Sequence, residues 1–229
     1  MNLRISFSYF FSFLLLLIIM MELHEIAHIV VGRILCGCWG PRDFNVWSLC
    51  ETCEERVPLS WLATLAGPLF SFALMWLGMA LLKSSDPARA AIGLSMIFTN
   101  IPFGRITTVM LGGGDEMVVV RHFLKGDMGR TGMILIGSMI VLAAGLPPIV
   151  QAYRSIKNGR ALLYILGFIT LPLAFLLLYT LIGLNTLLES GFLANVWIMG
   201  TPLLITLHTI GALMLFIVFR KGILSINKA

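Results

Sequence analysis

The sequence predicts an all-α fold, a polytopic membrane helix bundle of about six transmembrane helices. Three observations predict it. Of 229 residues, 59% are Ala, Val, Ile, Leu, Met, Phe, Trp, Tyr or Cys and only 12% are charged, against roughly half and roughly a quarter in a soluble domain. The mean hydropathy is +0.96 along the chain. The apolar residues gather in six stretches, each near the ~20 residues that cross a bilayer core at ~1.5 Å per residue. All six are expected as helices, because a lipid-exposed strand leaves backbone donors and acceptors unpaired. This composition excludes a soluble globule, a disordered chain, a collagen and a single-anchor ectodomain.

The first stretch, residues 5–35, follows Arg4 as a secretory leader would. No small-x-small cleavage site comes after it and the apolar run continues past Glu22, so it is expected to be retained. The second, residues 59–82, contains Leu65-Ala-Gly-Pro-Leu69, and the third, residues 90–111, contains Asn100-Ile-Pro-Phe-Gly-Arg105. Helix-breaking clusters survive at membrane depth only where protein or a wet cavity satisfies the backbone. Residues 131–153, 161–184 and 196–219 hold few polar groups (Gln151, Asn185, His208) and read as ordinary spans. Chemistry is therefore expected within residues 1–130, with residues 131–229 forming a C-terminal three-helix membrane bundle. The longest connection is the loop 36–58.

Inside the first stretch stands His24-Glu25-Ile-Ala-His28, the pattern H-E-x-x-H. On a helix, positions four apart differ by about 40° and about 6 Å, so both imidazoles project from one face and can grip a single zinc ion. Glu25 can reach a water on that metal without ligating, and act as the general base for hydrolysis. The bland alternative is that His24, Glu25 and His28 are interhelical hydrogen-bonding groups. Against it, ionisable side chains in a span are costly and mark function by default.

A catalytic zinc wants three protein ligands and one open position. Glu22 precedes His24 on a different face and reads as a group supporting the ligands. Asp115, with Glu116, follows Gly112-Gly-Gly114, where the backbone can bend and approach closely. Asp115 is the expected third ligand, the competing reading being a plain membrane boundary. His122 and His208 are weaker candidates. A lone His on an apolar span is usually a packing residue.

H-E-x-x-H on a membrane helix, Gly67-Pro68 in the next span, then Asn100-x-Pro102 with a downstream Asp together resemble the three-helix core of the site-2 protease family of intramembrane zinc metalloproteases. The resemblance covers about residues 15–120. It implies His24, His28 and Asp115 as zinc ligands, Glu25 as catalytic base and Asn100 as an oxyanion or substrate-backbone contact. Two features depart from the family pattern. The interval from Asn100 to Asp115 is fifteen residues with the glycines before the Asp, and Leu69-Phe70-Ser71 stands where an Asn usually follows Gly-Pro. The implied activity is peptide-bond hydrolysis in a transmembrane protein or peptide substrate, locally unwound near the cut. The competing class is non-enzymatic: a pseudoprotease scaffold, or a metal-handling or transport protein in which Asn100, Arg105 and Asp115 line an ion path. Glu25 discriminates, since scaffolding and transport need ligands but no base.

The formal charge is +5, yet no basic run exceeds Arg220-Lys221, so nucleic acid is not an expected partner; the excess belongs at the headgroups of a lipid bilayer. Nine Lys and Arg, from Arg4 to Lys228, fall on the side of the termini and five, from Arg42 to Arg130, on the other. The positive-inside bias places both termini in the cytoplasm, and the plasma (inner) membrane is the expected location. In family members that begin with the catalytic helix, the metal lies near the cytoplasmic face, the opposite sidedness. All four cysteines lie in the loop, as Cys36-x-Cys38 and Cys50-x-x-Cys53. If that loop is outside, two disulfides are expected in one of three connectivities; if inside, a small structural zinc knot.

Overall fold

The computed structural model describes residues 1–227. Ten α-helices, one two-stranded sheet and short π and 3-10 segments follow in order among them. Helix α1 (Phe7–Cys36) starts where the Ser6 hydroxyl accepts from Tyr9 N and ends at Gly37, whose φ of 76° lets its N–H reach Arg33 O. These are the usual signals: a side-chain acceptor for an orphan N–H, and a left-handed glycine for an orphan carbonyl. The loop carries α2 (Cys53–Arg56) and leads into α3 (Trp61–Leu82). Then come α4 (Pro87–Thr99), α5 (Pro102–Met110), α6 (Asp115–Leu124), α7 (Arg130–Ser155) and α8 (Ala161–Phe175). A π-helical stretch, Leu176–Leu184, continues into α9 (Asn185–Glu189); strands β1 (Val196–Ile198) and β2 (Thr201–Pro202) precede α10 (Leu203–Phe219). Five of these helical rods are long and apolar enough to cross a membrane, and the broken series Pro87–Met110 plus Asp115–Leu124, bent by 44°, is a sixth if counted as one span. The chain is an all-α, polytopic membrane protein.

The third stretch breaks at the helix-breaking cluster that the sequence marks, and the last differs from expectation. The third is not one helix: it breaks at Asn100, and Ile101 takes a left-handed conformation with φ 51° before Pro102 opens α5. Proline lacks the N–H that would continue the ladder and bars its predecessor from the right-handed helical region. The last stretch begins as a hairpin instead of a helix, because Gly200 turns at φ 70° and Pro202 sits at the helix start. A two-stranded antiparallel pair, Val196 with Pro202 and Ile198 with Thr201, takes up residues read as apolar helix.

The two ends of the bundle are distinct. At one, Met1 N donates to Ser155 O at 2.6 Å and Arg4 N to Ile226 O at 2.9 Å, joining both terminal segments to the α7–α8 turn. At the other, Phe44 of the loop packs on Leu204 and Ile205. The main core lies toward the terminal end, where Tyr9, Phe13, Phe98, Phe168 and Ile226 bury one another across residue 130. Helices α3 and α4 cross closely at Gly78 and Gly93; a Cβ on Gly93 would strike Gly78 O. Without a hydrophobic drive between helices in lipid, such small-residue approaches supply the dispersion that holds them.

Candidate metal centre

Helix α1 delivers His24, Glu25 and His28 into the bundle at 4%, 3% and 0% exposure. The i, i+4 spacing brings His28 Nε2 to 3.0 Å from His24 Nε2. The third corner is Asp115, first residue of α6, whose Oδ2 stands 3.3 Å from each of those nitrogens. Asp115 is presented by Gly112-Gly-Gly114, where Gly112 and Gly114 both have φ of 82°, a turn side chains with a Cβ resist. The three ligand atoms form a nearly equilateral triangle. Zinc at about 2.0–2.1 Å from each tetrahedral ligand separates those ligands by about 3.3 Å, so the edges fit the ion. His24, His28 and Asp115 can hold a metal ion.

Each imidazole is oriented from behind. His28 Nδ1–H donates to Ala63 O at 2.7 Å, which leaves Nε2 as the lone-pair nitrogen facing the centre. His24 Nδ1 lies 3.1 Å from Ser71 Oγ and 2.8 Å from Arg105 Nη2. A hydroxyl both donates and accepts, so Ser71 can also take an Nδ1–H, the tautomer His24 needs to ligate through Nε2. Arg105 Nη2 donates to Ser71 Oγ at 3.1 Å, and its Nη1 to Glu116 Oε1 at 3.2 Å. Such partners set ring orientation and ligand basicity. Gly67 makes room: a Cβ there would overlap His28 Nε2 and His24 Cε1. Ala63, Gly67 and Ser71 fall at successive i, i+4 positions of α3, one face turned toward the histidines.

The loop closes over this centre. Cys36 pairs with Cys53 and Cys38 with Cys50, a nested connectivity. Arg42 Nη2 donates to Glu22 Oε2 at 2.7 Å, which ties the loop to α1 two residues before His24. Asp43 Oδ1 accepts from Asn45 N and Val46 N, and the turn returns the chain to pair Trp47 with Arg42. Trp47 thereby stacks on the His28 ring, centroids 4.6 Å apart and 13° from parallel.

The other sequence candidates stand apart from the triangle. Asn100 is buried at the α4–α5 break; its Nδ2 donates to Met96 O at 2.8 Å, and its Oδ1 has no partner. No hydrogen bond among the described residues joins it to His24, Glu25, His28 or Asp115. His122 packs on Trp61, and His208 meets Tyr179 Oη at 2.9 Å. Glu25 Oε2 is buried with no partner, an acceptor left open on the ligand-bearing turn. Sequence reading missed Ser71 and Glu116 as supports and Trp47 as a cover; only the i, i+4 run from Ala63 to Ser71 signalled any of them. Compared with known proteins, the chain matches no protein-family model, no curated protein and no solved structure.

Proposed function

We propose that the chain is a membrane-embedded zinc metalloendopeptidase that hydrolyses peptide bonds in membrane-embedded protein substrates. The observation that carries this reading is the triangle of His24, His28 and Asp115 beside a buried, unpartnered Glu25 carboxylate oxygen. Zinc bound there supplies Lewis acidity, which polarises a carbonyl and lets water give up a proton near neutral pH. Glu25 receives that proton at Oε2 and hands it to the departing amine. His28, fixed by Ala63 O, and His24, backed by Ser71, keep their Nε2 atoms convergent. Arg105 holds a positive charge beside His24, which favours negative charge developing on the scissile carbonyl oxygen. Asn100 serves as a substrate-backbone contact through its free Oδ1, one amide hydrogen being committed to Met96 O. A substrate helix must unwind to expose its peptide bond, so cleavage is expected near Gly or Pro.

The non-enzymatic reading keeps the ligands and has no use for Glu25. Glu25→Ala, assayed on a co-expressed single-span protein with a Gly-Pro break, is expected to lower cleavage by about 10²–10⁴-fold. Metal content measured on the same protein should be unchanged. Undiminished cleavage by Glu25→Ala overturns the protease reading.

A further inference from the structure

The geometry points to a route into the metal centre from the disulfide-bonded side of the membrane, through an acidic vestibule that admits an extended, basic segment of a substrate at the non-cytoplasmic surface. This rests on the protease reading above and adds to it the side of access and the chemistry of the substrate.

A cavity of about 430 Å³ lies between the loop and α6, with Trp47, Glu51, Glu54, Glu55, Thr64 and Asp115 among its walls. It borders the centre through residues the two share or that touch it. Asp115 is itself a corner of the triangle, Trp47 lies flat on His28, and Thr64 follows the Ala63 whose carbonyl holds His28. A single turn of peptide helix, about 5.4 Å long and about 10 Å wide, fills a similar volume. The vestibule therefore takes a few residues of chain and excludes a folded domain.

Two independent observations give its sidedness. Disulfides persist in oxidising compartments and not in cytosol, and both bridges, Cys36–Cys53 and Cys38–Cys50, are in the vestibule wall or beside it. The opposite end of the bundle, where Met1 and Arg4 meet the α7–α8 turn and the C-terminal segment, carries eight of the Lys and Arg among the described residues; Lys228 lies outside them. The positive-inside bias puts that end in the cytoplasm. The depth of the centre agrees. His28 precedes Cys36 by eight residues and His24 follows Phe7 by seventeen, or about 12 Å and about 25 Å along the helix axis.

The rim sets the chemistry of the substrate. Glu51, Glu54 and Glu55 are exposed, and no ion pair among the described residues involves them. Their neighbour Arg56 spends its guanidinium on the backbone carbonyls of Thr52 and Glu51. Three carboxylates outnumber the one guanidinium of Arg56, and a net negative mouth over a low-dielectric wall draws in cationic chain and repels acidic chain.

The sidedness test uses the native chain, whose four cysteines all lie in this loop. Right-side-out and inverted membrane vesicles are treated with an impermeant maleimide-polyethylene glycol, with and without an impermeant reductant. Labelling in right-side-out vesicles only after reduction is expected. Labelling confined to inverted vesicles, or labelling without reductant, overturns the proposal. The substrate test uses the Glu25→Gln protein in phosphatidylcholine nanodiscs and two fluorescent peptides, alternating Lys-Ala and alternating Glu-Ala. The Lys peptide is expected to bind at least about fivefold tighter at low salt, and a Glu51→Gln, Glu54→Gln, Glu55→Gln variant to lose that preference. Equal binding of both peptides, or a preference the variant retains, overturns the substrate assignment. The two readings fail separately: inverted-side labelling with loss of cleavage in Glu25→Ala removes the vestibule route and leaves the protease. Outer labelling with cleavage intact in Glu25→Ala removes the protease reading and the substrate with it, and leaves only the sidedness of the loop.

Discussion

Gly67 illustrates what a single residue decides at the centre. Its missing side chain is the space in which the two imidazole rings converge, since a Cβ there would meet His28 Nε2 and His24 Cε1. Backbone atoms on one side and two hydrogen-bonded rings on the other leave neither partner free to withdraw, because His28 is also held by Ala63 O and covered by Trp47. Gly67→Ala is therefore expected to weaken metal binding by about 100-fold or more, the upper range for disturbed ligand orientation, while helical content by circular dichroism stays unchanged. Competition for the ion against a chelator of known affinity measures it. At this scale the sequence was legible where chemistry depends on local spacing: His24 and His28 share a face by helical period alone.

At the scale of elements, the break in the third span turns one expected helix into a device. Pro102 ends α4, α5 runs nine residues, and the glycine turn starts α6 with Asp115 in its first turn. What ties α5 to α6 at the centre is the ion pair of Arg105 Nη1 with Glu116 Oε1, both side chains nearly buried. A buried pair broken on one side leaves the other charge uncompensated. Arg105 is then free to leave His24, and the turn bearing Asp115 loses its anchor. Glu116→Gln is expected to lower metal affinity by about 10–100-fold without unfolding the bundle; an affinity within twofold of the parent, by calorimetric titration with zinc, would remove the positioning role given to this pair. The long interval between Asn100 and Asp115 is no obstacle to convergence, since the chain spends it on α5 and a tight turn.

For the whole molecule, the loop and the bundle act together. Two disulfides close loops of 17 and 12 residues' separation, each stabilising by about 3 kcal/mol in the chain-entropy account, and the Glu22–Arg42 pair pins the same loop beside His24. With the loop closed, Trp47 shields His28. Reduction of both bridges is expected to speed loss of bound zinc to a chelator by about tenfold or more, since the ordered loop then becomes a locally unfolding segment. A rate of loss equal in oxidised and reduced protein would show that the cover does not depend on the bridges. Hydropathy and helical period by themselves determined that this is a membrane helix bundle and that two imidazoles and a carboxylate share one turn of its first helix, because both properties are set by neighbours within a few residues. The sequence named Asp115 as the third ligand; the tertiary structure carried it across the 91 residues that separate it from His24, and alone decided that Cys36 takes Cys53 and that Trp47 lies on His28. Those outcomes depend on where left-handed glycines and a proline turn the chain, and such turns carry distant groups together or apart without leaving a periodic mark in the residues they join.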